Sequence, residues 1–175
     1  MLYLADAMRL GWDDEKLHKL TGIDPWFLFQ FRDLINEELN LEGLRIDQIE
    51  KEKLLALKQK GFSDRKLATC LRSEEKEIRK RRISENILPA FKRVDTCAGE
   101  FATETAYMYS TYDGFCESNP TANKKVIVLG SGPNRIGQGI EFDYCCVHAS
   151  MALQEEGYES IMINCNPETL SLIHI

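Results

Sequence analysis

The chain has 175 residues, which is enough for one domain or two small ones. Its hydrophobic fraction of 43% is sufficient for a packed core, and its net charge of −6 gives no general attraction to nucleic acid or to an anionic membrane. No apolar run reaches the roughly 18–20 residues of a membrane span, and the opening MLYLADAMRLGW lacks the basic leader of a signal peptide. The six cysteines form no C-x-x-C pair and there are only three histidines, which argues against a zinc site and for reduced thiols in a cytoplasmic protein.

Residues 1–88 are predicted to be helical, and they contain a faint internal repeat. The segment Arg9–Leu17 aligns with Gln59–Leu67 at an offset of fifty residues. In each copy a glycine ends one helix, an aromatic residue follows, and Asp13 or Ser63 caps the next helix. Two stacked helix-turn-helix units with approximate two-fold symmetry would explain this pattern. A nucleic-acid-binding helix-turn-helix is the alternative, but neither copy carries an exposed basic recognition face.

A helix rich in aromatic residues is predicted between the two copies. Asp24 as N-cap and Pro25 at the first helical position mark its start. The apolar residues of Trp26–Ile35 surround much of the cylinder, as in a helix that is central in a core or that shares its outer face with a partner. We expect core packing, and an interface contribution remains open for Phe29, which faces away from the row that begins with Phe27.

The segment Glu74–Arg82 is charged on nearly every face. Its acidic end precedes its basic end, which suits the helix macrodipole and supplies pairs four residues apart. Arg79–Arg82 could form a nucleic-acid patch, but the preceding acids neutralise most of its field. We therefore expect a solvated helix with salt bridges along it.

A connector is predicted from Pro89 onward, where the composition changes. Pro89–Val94 looks extended, and an irregular chain rich in Thr, Ala and Tyr follows to Tyr112. We expect Tyr107, Tyr109 and Tyr112 to pin this connector against its neighbouring domains rather than to form a stacking platform, because no basic residue lies among them. A turn at Asn119–Asn123 precedes the next strand, and we place the domain boundary there.

A strand–helix–strand unit is predicted for the last part of the chain. The apolar run Val126–Leu129 is typical of a buried parallel strand, and the glycine-rich turn Gly130–Gly139 leads into a run of apolar residues at helical spacing. Gly157 is placed to end that helix, and Ile161–Ile163 forms a second strand. Such a unit should be parallel and right-handed, and it is the first βαβ of a doubly wound sheet.

Two familiar nucleotide motifs do not fit this turn. A dinucleotide fingerprint needs glycine at the position of Arg135 and an acidic residue where the second strand closes, but that strand closes with Asn164-Cys165-Asn166, which argues against NAD. A Walker-type phosphate loop needs Lys-Ser or Lys-Thr after Gly137, where Gln138-Gly139 stand.

The segment GSGPNRIGQGIEFDYCCVHASMALQEEGYESIMINCNPET resembles the start of the second half of a carbamoyl-phosphate synthase large chain. In that family each of two homologous halves opens with G-x-G-P-x-x-I-G-Q-x-x-E-F-D-Y. The residues that match are Gly130, Gly132, Pro133, Ile136, Gly137, Gln138, Glu141, Phe142, Asp143, Tyr144, Asn164, Asn166 and Pro167. The upstream Val94–Tyr112 resembles the family's connector into that half, and the helical region resembles its oligomerisation domain.

This resemblance, which extends to about Ser171, implies an α+β chain. An all-α helical oligomerisation domain would occupy residues 1–88, a connector 89–123, and the start of a Rossmann-like pre-ATP-grasp domain with its first βαβ 124–171. Residues 172–175 do not match and look like a non-native tail. We therefore expect the chain to be a truncated fragment.

The resemblance also implies a function for the parent protein. It would be an ATP-dependent ligase that makes carbamoyl phosphate from bicarbonate, ammonia released from glutamine and two ATP, for arginine and pyrimidine biosynthesis. The implied partners are a small glutaminase subunit and other large chains, with no nucleic acid and no membrane. ATP and magnesium or manganese would bind outside this fragment. We therefore expect no catalytic or metal-binding residue within it, no activity of the fragment alone, and a role in oligomerisation and in framing the second half.

Two interpretations of the glycine-rich turn are open. It could line the active-site crevice, because open α/β sheets bind ligands at the carboxyl ends of their strands; the candidate residues are Gly130, Ser131, Gly132, Pro133, Asn134, Gly137 and Gln138. Alternatively the glycines only permit tight packing, while Glu141 and Asp143 stabilise the start of the helix.

Two other functions are open for the chain as a whole. One is a stand-alone, non-enzymatic helical self-association module. The other is a stand-alone nucleotide-binding protein, which would have only two of the strands that its sheet requires.

Overall fold

The computed structural model describes residues 2–102, 107–130 and 139–164. Within them the chain is a mixture of helices and two small sheets, so the predicted α+β class is confirmed. The helices are α1 (Leu2–Arg9), α2 (Asp14–Thr21), α3 (Pro25–Asn40), α4 (Lys51–Gln59), α5 (Asp64–Cys70), α6 (Glu75–Ser84) and α7 (Gly139–Glu155), with a 3₁₀ turn at Ile46–Gln48; the strands are β1 (Ala90–Arg93), β2 (Met108–Thr111), β3 (Lys125–Leu129) and β4 (Glu159–Ile163).

The described residues form two compact units. The helical unit comprises those of Met1–Lys92 and Tyr109–Glu117, and the parallel-sheet unit comprises those of Arg93–Met108 and Ser118–Ile175. None of the helices in the described ranges has both the length and the apolar character needed to cross a membrane.

The internal repeat of the helical unit covers three helices in each copy. We call α1–α3 the first copy and α4–α6 the second copy. The equivalent boundaries are fifty residues apart: α1 and α4 end at Arg9 and Gln59, α2 and α5 begin at Asp14 and Asp64, and α3 and α6 begin at Pro25 and Glu75. The structural repeat therefore covers three helices in each copy, whereas the sequence repeat covers only nine residues.

The corner between the first two helices is built in the same way in both copies. Gly11 and Gly61 adopt φ of 82° and 91°, a left-handed conformation that glycine tolerates without strain. Asp13 and Ser63 each accept a hydrogen bond from the backbone N–H three residues later, at 2.7 Å and 3.0 Å. Each bond satisfies one N–H of the first helical turn, so both predicted caps are confirmed.

Each copy also has its own hydrophobic core. The core of the first copy consists of Leu4, Met8, Leu17, Leu28 and Ile35. That of the second copy, with the segments that adjoin it, consists of Leu41, Ile49, Leu54, Leu57, Phe62, Leu67, Ala68, Leu71, Ile78 and Ile87. Leu4, Leu17 and Leu28 are equivalent to Leu54, Leu67 and Ile78. Burying one such side chain contributes roughly 1.5–3 kcal/mol, so each copy is stabilised by its own apolar contacts.

The aromatic-rich helix α3 begins as predicted, because Asp24 accepts a hydrogen bond from the backbone N–H of Trp26 at 2.8 Å. The expected core packing is wrong for three of its aromatic side chains. Trp26, Phe27 and Phe29 are exposed, whereas Leu28 is completely buried. The reason is that α1 and α2 pack on the side of α3 that carries Leu28.

Two expectations for the following segments are also corrected. Arg82, expected on a solvated helix, is buried, because its guanidinium is held by Asp64 across the second copy. The chain expected to be irregular as far as Tyr112 contains strand β2, which pairs with β1. The extended Ala90–Arg93 offers backbone groups with which Met108–Thr111 can pair.

The parallel-sheet unit confirms the predicted strand–helix–strand arrangement. Strands β3 and β4 are parallel, with Lys125 opposite Glu159 and Leu129 opposite Ile163. Helix α7 connects them and is followed by Gly157, with φ of 79°. The hydroxyls of Ser150 on α7 and Ser160 on β4 are hydrogen-bonded at 2.8 Å, so polar as well as apolar contacts join the helix to the sheet.

Candidate functional site

The carboxyl ends of β3 and β4 bring together residues that the sequence separates widely. Gly130 directly follows β3 and Asn164 directly follows β4. The backbone N–H of Gly130 donates to the carbonyl oxygen of Ile163 at 2.8 Å, which continues the parallel pairing past the last residue of β3. This is the edge at which open α/β sheets bind ligands.

The contact between Gly130 and Asn164 leaves no room for a side chain on the glycine. A Cβ placed on Gly130 would lie 2.7 Å from both Cβ and Nδ2 of Asn164, and closer still to Cγ. The φ of Gly130 is not in the left-handed region, unlike that of the helix-ending glycines. Glycine is needed at this position because a side chain would collide with Asn164, and not because of the backbone conformation.

Asn164 also fixes a buried acid. Its side-chain Nδ2 donates to Oδ1 of Asp143 at 2.9 Å, and Asp143 is completely buried. A carboxylate without access to water requires hydrogen-bond donors, since burying it without partners is costly. Asp143 lies on α7 and Asn164 at the end of β4, so this bond ties the first half of the helix to the carboxyl end of the sheet.

One of the predicted crevice residues lies in the described part of the chain. Gly130 lies at the carboxyl end of β3, as predicted from the sequence. The other candidates, Ser131, Gly132, Pro133, Asn134, Gly137 and Gln138, lie outside the described residues. The role of the turn in a crevice therefore stays a prediction. The contact of Gly130 and Asp143 with Asn164 is an addition from the structure; all three residues belong to the quoted family pattern, but only the fold shows that they are neighbours.

A second polar cluster is buried in the helical unit. Lys58 and Arg82 both bind the carboxylate of Asp64, with Lys58 Nζ 2.8 Å from Oδ1 and Arg82 Nη2 2.9 Å from Oδ2. Each cation also donates to a backbone carbonyl oxygen, that of Phe62 for Lys58 and that of Ile87 for Arg82. We call Lys58, Asp64 and Arg82 the buried clamp.

The electrostatics of the buried clamp favour its ionised form. Burial raises the pKa of the Asp64 carboxyl, but hydrogen bonds from Arg82 and Lys58 outweigh it and hold that pKa below its ordinary value. The hydrogen bond to Asp64 raises the pKa of Arg82 in turn. Both shifts favour the ionised form of the Asp64–Arg82 pair.

Tyr112 covers the buried clamp. The ring centroid of Tyr112 lies 5.1 Å from Lys58 Nζ and 5.8 Å from Arg82 Cζ, within the range of cation–π attraction. Next to it, Gln59 donates to the carboxylate of Asp113 at 2.7 Å. These contacts hold the segment after β2 on the second copy. Tyr109, by contrast, is about half exposed, so Tyr112 is the ring that anchors this segment within the helical unit.

The first copy presents large apolar side chains to solvent. They are Tyr3, Leu10, Trp12, Leu20, Trp26, Phe27, Phe29 and Leu39. Exposed apolar side chains mark a binding surface where they are contiguous, whereas single ones are ordinary. The second copy also exposes a large apolar side chain, Ile83 of α6 at 48%, but its exposed set is smaller.

No metal site is evident in the described residues. Among residues 2–102, 107–130 and 139–164, no three His, Cys, Asp or Glu side chains are grouped so that they could hold a metal ion. The buried carboxylates of Asp64 and Asp143 are each engaged by protein donors.

Two family models match separate parts of the chain. The family model described as the oligomerisation domain of the carbamoyl-phosphate synthetase large chain matches residues 1–86, and the one described as the carbamoyl phosphate synthase preATP-grasp domain matches residues 122–173. The chain belongs to the carbamoyl phosphate synthase large-chain family. The buried clamp and the exposed aromatic residues fall within the first match, and the Gly130–Asp143–Asn164 cluster falls within the second.

Curated relatives named carbamoyl phosphate synthase large chain are similar over nearly the whole chain. The relative from Pseudomonas putida is 58% identical over 169 residues, covering 97% of this chain. Those from Pasteurella multocida and Neisseria meningitidis serogroup B are 56% and 57% identical over 171 residues, covering 98% of it. The chain spans 16% of the length of each of these synthase large chains.

Proposed function

We propose that this chain is the part of a carbamoyl phosphate synthase large chain that joins large chains to one another and frames the second synthetic half. The observation that carries the proposal is the helical unit itself: it has its own cores, it matches the oligomerisation domain, and its first copy exposes large apolar side chains. An apolar surface on a closed unit is suited to binding another protein.

The activity of the whole synthase follows from the family. It makes carbamoyl phosphate from bicarbonate, glutamine-derived ammonia and two ATP, and supplies arginine and pyrimidine biosynthesis in the cytoplasm. A small glutaminase subunit releases the ammonia. The identity with the bacterial large chains over 97–98% of this chain supports this proposal.

ATP and magnesium or manganese are proposed to bind elsewhere in the synthase. Magnesium is bound in nucleotide sites by one or two carboxylates together with the phosphates. In the described part of the chain no three His, Cys, Asp or Glu side chains are grouped, and the buried Asp143 accepts a hydrogen bond from Asn164. Gly130, Asp143 and Asn164 contribute to the reaction by positioning the carboxyl ends of β3 and β4, where the glycine-rich turn begins.

A chimeric synthase tests the proposal. Residues 1–171 of this chain replace the aligned segment of the Pseudomonas putida large chain, and glutamine-dependent carbamoyl phosphate formation is measured with the small subunit present. We expect most of the activity to be retained, because the two segments are 58% identical. A folded chimera with no synthase activity would refute the framing role and favour a stand-alone self-association module.

The isolated chain provides the second test. We expect sedimentation velocity to show self-association at micromolar concentration without nucleotide, and calorimetry to show no binding of Mg-ATP. A strictly monomeric chain would contradict the joining role. Carbamate-dependent ATP hydrolysis by the chain alone would contradict the assignment of catalysis to other parts of the synthase.

A further inference from the structure

The first copy shows that the three-helix motif forms without a buried clamp. Asp14 and Arg32 are the counterparts of Asp64 and Arg82, fifty residues earlier, and they also form an ion pair. Their side chains remain partly exposed, whereas those of Asp64 and Arg82 are almost completely buried. Burial of the pair is therefore not a requirement of the motif, and it needs another explanation.

A lysine in the second copy makes a contact that the arginine makes in the first. Arg32 donates to the backbone carbonyl oxygen of Trp12 at 2.6 Å. The equivalent carbonyl oxygen, that of Phe62, accepts instead from Lys58 Nζ at 2.6 Å. The first copy has Met8 at the position of this lysine. Because the lysine binds that carbonyl oxygen, the arginine of the buried clamp can reach a different acceptor.

That acceptor lies at the start of the connector. Arg82 Nη1 donates to the backbone carbonyl oxygen of Ile87 at 3.1 Å. Ile87 stands between α6 and β1, and its side chain is buried in the core of the second copy. The buried clamp therefore fixes the point at which the chain leaves α6 and enters the connector.

The end of the connector returns to the same cluster. Tyr112 directly follows β2 and packs against the core of the second copy. Its ring lies over Lys58 and Arg82, which share the single carboxylate of Asp64. The face of an aromatic ring is electronegative and therefore complements two basic side chains that have one carboxylate between them. The strand pair β1–β2 is thus fastened at both ends to one buried cluster.

Further contacts hold the chain beyond Tyr112. We call Tyr109–Glu117 the strap, and it belongs to the helical unit. Gln59 of α4 donates to the carboxylate of Asp113 at 2.7 Å. At the end of the strap the backbone N–H of Glu117 donates to the carbonyl oxygen of Phe91 in β1 at 2.7 Å. The strap is therefore bound along its length, with Tyr112 as its contact to the buried clamp.

We propose that the buried clamp is the docking site of the connector, and that Tyr112 is the positioning residue through which the helical unit frames the second synthetic half. The inference rests on the proposed framing role and identifies the side chains that perform it. With the strap docked, the last residue of the helical unit before β3 is Glu117, whereas with the strap released it would be Lys92. A longer connecting segment holds the start of β3 less precisely, because more conformations are open to it.

The experiment uses the chimeric synthase described above, with the small subunit present. Tyr112→Leu removes the ring, Tyr112→Phe retains it, and Tyr109→Leu is the matched control, because it makes the same change at an exposed ring of the strap. Amide hydrogen exchange in residues 107–117 should be about 3- to 30-fold faster in Tyr112→Leu than in the unmodified chimera. The ATP hydrolysed per carbamoyl phosphate formed should rise at least about 2-fold in this variant, because a misplaced reaction centre is slow. Tyr112→Phe and Tyr109→Leu should change neither quantity.

The ratio of ATP to product separates positioning from a general loss of structure. A partly unfolded synthase loses ATP hydrolysis and carbamoyl phosphate formation together, so its ratio stays constant. A misplaced second half lets the first half continue to hydrolyse ATP while less product is formed, so the ratio rises. Restoration of the ratio by Tyr112→Phe would show that the ring, and not the hydroxyl, is responsible.

The outcomes distinguish this inference from the proposed function. Unchanged exchange in Tyr112→Leu refutes docking at the buried clamp, and faster exchange with an unchanged ratio refutes positioning, while an active unmodified chimera upholds the framing role in both cases. An inactive unmodified chimera refutes the framing role and the positioning with it, and the exchange rates alone then decide the docking. Should Tyr112→Leu unfold the helical unit, Gln59→Ala, which removes the contact to Asp113, is measured by the same criteria.

Discussion

Replacing Asp64 by alanine should destabilise the helical unit strongly, whereas the same change at Asp14, its equivalent in the first copy, should not. Asp64 binds two cations, and the side chains of Asp64, Lys58 and Arg82 are only 11%, 5% and 7% exposed. Asp64→Ala leaves two buried cations without their counterion. Breaking a buried ion pair in this way costs about 3–5 kcal/mol, and we expect the lower end because both cations keep a backbone carbonyl partner.

The first copy supplies the control for this prediction. Asp14 binds Arg32, with Arg32 Nε 3.0 Å from Oδ1, but their side chains are 36% and 24% exposed. The position of Lys58 is taken by Met8, so a single cation is left behind. Water can solvate that cation, and a partly exposed pair of this kind contributes roughly 0–1 kcal/mol. Asp14→Ala should therefore cost about 1 kcal/mol or less.

Urea unfolding followed by circular dichroism measures both effects. The free energies of unfolding of the two variants and the unmodified chain are compared at one protein concentration, because self-association shifts the apparent stability of a chain. Equal losses for the two variants, or a loss below about 1 kcal/mol for Asp64→Ala, would refute the reasoning that burial makes the ion pairs of the buried clamp important for stability.

Three further predictions concern acid, the strand ends and the connector. The pKa of Asp64 is lower in the folded chain than its ordinary value near 4, so its contribution to the free energy of unfolding is fully present above about pH 4 and is lost as the pH falls through the folded pKa. The difference in stability between the unmodified chain and Asp64→Ala should therefore shrink during acid titration. A constant difference down to about pH 2 would contradict this. Gly130→Ala should destabilise the parallel-sheet unit by about 1–3 kcal/mol, because the new Cβ clashes with Asn164. Faster amide hydrogen exchange in β3 would report this loss. The double variant with Asn164→Ala should lose less stability than the sum of the two single changes. Tyr112→Leu should lower the stability of the helical unit by about 0.5–2 kcal/mol, because the cation–π contacts are lost. Tyr112→Phe retains the ring and should lose much less stability. Equal losses for the two variants in urea unfolding would show that the ring does not act through the cations.

Local features of this chain were well predicted because short-range chemistry decides them. Asp13 and Ser63 cap their helices through backbone groups three residues away, and Gly157 ends α7 through its own backbone conformation. The parallel pairing of β3 with β4 follows from two apolar runs joined by one helix. In each case the residues that interact are close in sequence or are joined by a single crossover.

The errors concern residues whose surroundings are set by distant parts of the chain. Arg82 belongs to a helix that is charged on nearly every face, and its burial depends on Asp64 in the preceding helix. The exposure of Trp26 depends on which side of α3 receives α1 and α2. Hydrophobic patterning indicates that a side chain is apolar, but it cannot tell a core face from a docking face when apolar residues surround the helix.

The sequence by itself determined the helix caps, the α+β class, the strand–helix–strand unit and the resemblance to carbamoyl phosphate synthase large chains, because all of these depend on residue types at fixed local spacing. Only the tertiary structure decided that Gly130 must lack a side chain because of Asn164, that Asp64 is enclosed by two cations and Tyr112, and that the aromatic residues of α3 face solvent. These features depend on which distant segments come together when the chain packs. The close packing of a folded core fixes such contacts, and the spacing of residues along the chain does not specify them.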